Sequence, residues 1–263
     1  MSPTKNAALR DLDSLLEKAR QNPATEEELA AQREGMGRYT PGPRQAQAMR
    51  PTHRPTPRFV TFTGIDDRTN LAWAHNLSRR YPIEWGCLIG GKLGKNRYPR
   101  IETIENAGRM LSTALHVCKD EATFVNNGGL HPDSYGFDRI QVNMPAQKYN
   151  IPMLEFAAAQ KNHHIIMQTR TGFAEQPEGS KLFQLFDQSG GRGKMPTSYP
   201  AAPDERLVGY AGGINPQNVE AVLYATKAQN FWLDMESGVR DSGDWLDLEK
   251  CEAVCRVIWG DHA

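Results

Sequence analysis

From residue 59 onward the chain alternates short apolar, β-branched runs with longer segments whose apolar residues recur every three or four positions. Short apolar runs predict strands and the 3.6-residue period predicts helices, and their alternation over short connections is the pattern of βα units around a parallel sheet. Runs at 60–63, 84–89, 115–118, 139–143, 164–168, 183–187, 207–211 and 231–235 meet the strand criterion. Helical spacing is clear at 70–80, 153–161, 216–227 and 246–259, and short or ill-defined after the second, third and fifth strands. Eight parallel strands close a (β/α)8 barrel, so the expected fold class is α/β, a TIM barrel over residues 57–263.

Residues 1–56 break that pattern. Leu9, Leu12, Leu15, Leu16 and Ala19 share one helical face, and a second segment after Pro23, with Thr25 and glutamates in its first turn, carries Leu29 and Ala30. The stretch 38–58 then mixes prolines with Arg38, Arg44, Arg50, His53, Arg54 and Arg58, a composition that favours an extended surface crossing. The expectation is a helical N-terminal extension with a Pro/Arg-rich linker, packed on its own barrel or serving as a homo-oligomer contact. A basic arm for phosphate-bearing partners is the alternative.

Candidate chemistry gathers in the last third. Tyr210-Ala211 runs into Gly212-Gly213, Asn215-Pro216 opens a helical segment, and the next strand runs into Ser237-Gly238. Glycines remove the β-carbons that keep an anion off the backbone, and a helix start aims unpaired N–H groups and the positive dipole end at the same point. Gly212, Gly213, Asn215, Ser237 and Gly238 are therefore the expected phosphate grip, aided by the start of a helix at Asn215 or a turn at Ser242-Gly243. On this reading Gly213 and Gly238 leave room for the ligand's oxygens, and Arg240 is an exposed charge past the strand end.

Ala211-Gly-Gly-Ile-Asn-Pro-Gln-Asn-Val219 followed by Leu233-Asp-Met-Glu-Ser-Gly-Val239 resembles the end of phosphoribosylanthranilate isomerase, the tryptophan-pathway barrel that rearranges a phosphoribosylamine into a ketose. Leu185-Phe-Asp-Gln-Ser-Gly-Gly-Arg-Gly-Lys194 resembles the family's sixth strand and glycine-rich loop, and Phe62-Thr-Gly-Ile65 falls where the family has Cys-Gly-Ile; the resemblance spans residues 57–260. It implies Asp187 as the general acid that opens the sugar and Asp234 as an acceptor for a ligand hydroxyl. It also implies an arginine past the second strand that holds the substrate's aromatic carboxylate. Arg97 is the nearest match, with Lys92, Lys95 or Arg100 as alternatives.

The chain departs from that family at two mouth positions. Thr63 stands where the family carries its cysteine base, and a hydroxyl without a pKa near neutrality cannot hold an abstracted proton. Asn143 ends the fourth strand where the family has a histidine. Read from the residues alone, Asp187 caps the loop beside it and the charges after the second strand are solvated. The loop 189–194 is no Walker A motif, because Met195 follows Lys194 where magnesium needs Ser or Thr. It reads as a flap with Arg192 or Lys194 available to an anion.

Composition narrows the partner. Lys+Arg 31 balances Asp+Glu 31, so no bulk charge recruits nucleic acid, and no apolar run reaches the length of a membrane span. Cys87, Cys118, Cys251 and Cys255 lack CxxC spacing and fit reduced cytoplasmic thiols, with Cys87 and Cys118 expected to be buried and inert. His163-His164 has no third ligand at metal spacing. The expected partner is a phosphorylated ribosyl small molecule or a nucleotide, bound in the cytoplasm without metal or cofactor. Two functions fit: an aldose–ketose isomerase with an altered base, which Asp187 favours, and a non-catalytic binder or sequestering barrel, which Thr63 and Asn143 favour.

Overall fold

The computed structural model describes residues 54–91, 96–130, 136–202 and 205–261. The expected N-terminal helices and most of the linker lie outside these residues, as do Lys92 and Lys95.

Strands β1 (Val60–Thr63), β2 (Ile83–Ile89), β3 (Thr113–Cys118), β4 (Arg139–Asn143), β5 (His164–Thr169), β6 (Leu182–Phe186), β7 (Val208–Ala211) and β8 (Phe231–Met235) pair in sequence order, all parallel. Pairing of β8 with β1, through Val60 opposite Leu233 and Phe62 opposite Met235, closes the barrel. Strands β1, β4 and β8 have the expected bounds; β2, β3, β5 and β7 differ by one or two residues at one end, and β6 is shifted by one residue at both.

Among the described residues the outer ring holds α1 (Leu71–Arg80), α2 (Ile101–Met110), α3 (Lys119–Asn126), α4 (Ile151–Lys161), α5 (Val219–Ala225) and α6 (Leu248–Trp259). Asn70 caps α1 by accepting from Trp73 N, and Asp247 caps α6 by accepting from Glu249 N and Lys250 N. Helix α5 is shorter than the 216–227 expected, because Asn215-Pro-Gln-Asn218 forms a turn in which Asn215 Oδ1 accepts from Gln217 N and Asn218 N. Between β5 and β6, residues 170–181 form no helix. Gln184 pins this loop to β6, its amide exchanging bonds of 2.8 and 2.7 Å with the Ala174 backbone.

The main core lies between barrel wall and helices, where Phe62, Trp85, Leu77, Ile104, Ile140 and Phe231 are fully buried. Inside the barrel the apolar filling is small: Ile166, Leu185, Ala211 and Trp232. The rest of the interior floor is polar. Arg139 pairs with Glu84 at 2.6 Å, Thr61 donates to the same carboxylate, and the Arg139 guanidinium lies 4.4 Å from the Trp232 ring centroid. Such a pair depends on both partners, since either alone would be an uncompensated buried charge. Strand side chains alternate between faces, so Thr63, Gln141 and Asp234 stand one inward step above Thr61, Arg139 and Trp232. That step carries the polar interior up to the carboxyl ends of the strands.

Candidate functional site

At those carboxyl ends the interior opens into a cavity of about 400 Å³, the size of a small-molecule site. Its wall takes His116 and Cys118 from β3, Gln141 and Asn143 from β4, and Asp187, Gly190, Gly191 and Gly193 from the end of β6 and its loop. Gly212 and Gly213 follow β7, Asp234, Glu236, Ser237 and Gly238 come from the end of β8, and Arg97, Tyr98 and Arg170 complete the rim. Of the site residues named from sequence, Thr63 and Asn215 are not on this wall; Asp187, Arg97, Asn143, Gly212, Gly213, Asp234, Ser237 and Gly238 are.

Asp234 is buried and accepts a 2.7 Å hydrogen bond from Thr63 Oγ1. Burial pushes its carboxyl up, the Thr63 bond offsets part of that rise, and the negative charges of Glu236, Glu84 and Asp187 add to it, leaving a pKa of about 7. A carboxyl in this range exchanges protons near neutrality. Thr63 is 2 % exposed and acts on this site through Asp234. His116, also 2 % exposed, has no hydrogen-bond partner at Nε2. Burial, seconded by the charge of Arg139, pushes its pKa down to about 3, so the imidazole is neutral. Gly86 makes room for both neighbours, since a Cβ there would stand 2.6 Å from Thr63 Oγ1 and 3.1 Å from His116 Nε2.

Asp187 accepts from Ser189 N at 3.0 Å, Ser189 Oγ at 2.8 Å and Gly191 N, so its two oxygens anchor the glycine-rich loop while it lines the cavity. Arg97 is committed to two carboxylates: Nε and Nη2 fork Asp244 at 2.8 and 2.7 Å, and Nη1 lies 2.6 Å from Glu236. These bonds raise its already high pKa further, Asp244 contributing most. Arg100 pairs with Asp67. Arg192 donates to Ser189 O, and neither it nor Lys194 is on the cavity wall. Asn143 joins Gln141 at 2.9 Å to Cys118 at 3.3 Å. Cys118 is thus a half-buried thiol of the cavity wall, not the enclosed one expected, whereas Cys87 is fully buried.

The glycines line the cavity and also have a packing reason of their own. A Cβ on Gly213 would meet Gly193 O at 2.8 Å and Met195 N at 2.9 Å, one on Gly212 would meet Lys194 O at 2.7 Å, and one on Gly238 would collide with Ile214 O. The bare backbones let the β6, β7 and β8 loops pack on one another, and the space is filled by protein. What the loops do offer an anion is N–H: those of Gly213, Ser237 and Gly238 have no acceptor among the described residues. Asn215 contributes by shaping the turn, because its side chain consumes two of the N–H groups that the helix start was expected to supply. Gly243 N is likewise bonded to Asp241, and Ser237–Val239 is a single 3₁₀ turn.

Arg240 also differs from expectation. It is 5 % exposed, with Nη1 donating to Gly64 O at 2.9 Å, Nε to Asp244 O at 3.0 Å, and Nη2 3.5 Å from Asp66. Gly64, at φ +107°, has no side chain to obstruct that approach. The residue clamps the loop after β8 to the loop after β1. Elsewhere, His164 packs edge-on against Phe183 with ring centroids 5.1 Å apart. Among the described residues no three His, Cys, Asp or Glu side chains could share a metal ion, and no helix is long and apolar enough to cross a membrane.

Fold and cavity define a closed eight-stranded parallel barrel of the TIM type, with six helices among the described residues and a polar, small-molecule-sized site at the carboxyl ends of its strands. Among solved structures it is similar to phosphoribosyl anthranilate isomerase in complex with reduced 1-(o-carboxyphenylamino)-1-deoxyribulose 5-phosphate, at 16% identity and TM-score 0.50 over 77% of this chain and 98% of that one. TrpF from Jonesia denitrificans matches at 16% identity and TM-score 0.51, covering 77% and 97%. Phosphoribosyl anthranilate isomerase from Thermococcus kodakaraensis also gives 16% and 0.51, covering 77% and 99%. Likeness at this identity establishes a shared fold. No family model and no curated protein matches the sequence.

Proposed function

We propose that this barrel is an intramolecular aldose–ketose isomerase acting on a 5-phosphoribosylamine, with Asp234 as its proton-transfer group. The observation that carries this reading is the convergence in one cavity of buried Asp234 with the unpartnered N–H groups of Gly213, Ser237 and Gly238. The fold shared with phosphoribosyl anthranilate isomerase, one structure of which holds a reduced ribulose phosphate, agrees with it. The N–H groups receive the phosphate. Protonated Asp234 gives its proton to the ring oxygen as the bond from C1 to that oxygen breaks and the nitrogen lone pair forms an iminium. The resulting carboxylate takes the proton from C2; the freed electron pair forms the C1–C2 double bond and the iminium electrons return to nitrogen. Ketonisation moves the enol proton to solvent and brings one to C1, so protons balance and Asp234 ends as it began. A pKa of about 7 suits a group that must act in both forms near neutrality. Thr63 positions Asp234, and Asp187 anchors the loop that covers the site.

A second reading, a barrel that holds a nucleotide or phosphosugar without converting it, is favoured by the commitment of both Asp187 oxygens to the loop. Turnover of phosphoribosyl arylamines, followed by ketose formation, decides between them. The isomerase reading expects ketose from the wild type and a loss of about a hundredfold or more in Asp234→Asn. A nucleotide released unchanged from denatured protein, with no ketose formed, would establish the binder instead.

A further inference from the structure

We infer that the part of the ligand facing the β2–β4 side of the cavity is an uncharged hydrogen-bonding group, a carboxamide or the edge of a nucleobase, and not an aryl carboxylate. This rests on the phosphoribosyl reading above and specifies its substrate class. Two independent features carry it. The first is the state of Arg97. Its fork is closed on Asp244 and its remaining nitrogen on Glu236, which is itself on the wall. Asp244 is shared with Arg240, whose Nε lies 3.2 Å away and whose Nη2 faces Asp66, so two guanidiniums stand against three carboxylates and this end keeps an excess of negative charge. An incoming carboxylate would have to displace Asp244 or Glu236 and lie beside the other, and such like-charge contact is how sites reject the wrong ligand.

The second is His116. Its ring is neutral, almost wholly buried, on the cavity wall, and unpartnered at Nε2. A neutral imidazole presents one donor and one acceptor. That nitrogen lies against Gly86 with no partner from the protein, so a ligand donor or acceptor that reaches it satisfies a group otherwise left unmatched. Gln141 and Asn143, joined at 2.9 Å, continue the wall with neutral amides of the same mixed character. A carboxylate offers acceptors alone, whereas an amide or base edge offers both donor and acceptor. A site built around such pairing discriminates strongly against a ligand lacking it.

The test is calorimetric titration of wild-type protein with 1-(2-carboxyphenylamino)-1-deoxyribitol 5-phosphate, its 2-carbamoyl counterpart, and ribose 5-phosphate as reference. The carbamoyl compound should bind about tenfold or more tightly than the carboxy compound. Glu236→Gln should narrow that ratio by improving the carboxy compound, and His116→Phe should abolish the carbamoyl advantage while ribose 5-phosphate binds as before. If ribose 5-phosphate binds but the wild type prefers the carboxy compound or treats the two alike, the inference falls and the phosphoribosyl reading stands. If none of the three binds, the phosphoribosyl reading falls and takes the inference with it.

Discussion

Thr63 Oγ1 donates to Asp234 Oδ1 at 2.7 Å across the seam where β1 and β8 close the barrel. The strand register sets Thr61 opposite Asp234, which leaves Thr63 one inward step above and within reach of the carboxylate. This bond opposes the rise that burial imposes on Asp234. Thr63→Val should therefore move the Asp234 titration upward by about one pH unit, carrying the alkaline limb of the pH–rate profile with it because turnover starts from the protonated carboxyl, while Thr63→Ser should leave both in place. Thr63→Cys replaces the hydroxyl by a weak donor and should behave like valine. Carbon-detected titration of the Asp234 carboxyl checks this, and an unchanged midpoint in Thr63→Val would remove Thr63 from the account.

Asp234 also sets a pH dependence of stability. Its folded pKa of about 7 lies above the unfolded value of about 4, so between these limits the folded chain binds more protons than the unfolded one. Stability from this group therefore falls as pH rises through that window and stays low above it. Asp234→Asn should gain on the order of 2–4 kcal/mol relative to wild type at pH 8 and little at pH 4. Urea unfolding of both proteins at the two pH values measures the difference; a gain at low pH only would have the wrong sign.

Arg240→Ala should destabilise by about 3–5 kcal/mol, because it removes the counter-charge of the buried Asp66, leaving that carboxylate only its hydrogen bonds from Arg68 N, Thr69 and Leu246 N, and uncouples Gly64 from the loop after β8. Arg240→Lys should recover little. A single ammonium cannot bridge Gly64 O and Asp244 O in the geometry of a planar fork. Denaturant midpoints read this directly, and a mild alanine variant would return Arg240 to the solvent.

Gly238→Ala and Gly213→Ala should each lower stability by about 1–3 kcal/mol without any ligand present, since the added carbon strikes Ile214 O in one case and Gly193 O in the other. Thermal unfolding of the ligand-free variants distinguishes this from a ligand clash. Unchanged midpoints with affinity lost would show that the glycines clear space for phosphate after all.

The barrel was legible because strand and helix periods differ, and because eight apolar runs met turn residues at regular intervals. The loop missing its helix after β5 was legible as an ill-defined segment, with Gly172, Pro177 and Gly179 breaking any helical run. The cavity wall was legible where a motif names several neighbouring residues, as with Asp187 and the paired glycines. Long-range commitments were not. Arg97 looks like an available cation until Asp244, 147 residues away, closes on it, and Arg240 looks exposed until Gly64 and Asp66 are brought over it. The pKa of Asp234 depends on a burial that no local pattern encodes. His116 had a signal: the alternation Ala114, His116, Cys118 places it with Cys118 on one strand face, and Cys118 lines the cavity. A lone histidine carries no chemistry until that face is known to be the interior.

The central claim is that Asp234 moves the proton that turns a bound phosphoribosylamine into a ketose. It is tested most directly by proton NMR in D2O with N-(5-phosphoribosyl)-2-carbamoylaniline. Wild-type protein should form the ketose with one solvent deuterium at C1 at a rate set by enzyme concentration, and Asp234→Asn, folded and still binding ribose 5-phosphate, should be slower by about a hundredfold or more. Ketose formation at the wild-type rate in Asp234→Asn, or none in the wild type despite saturated binding, would contradict it.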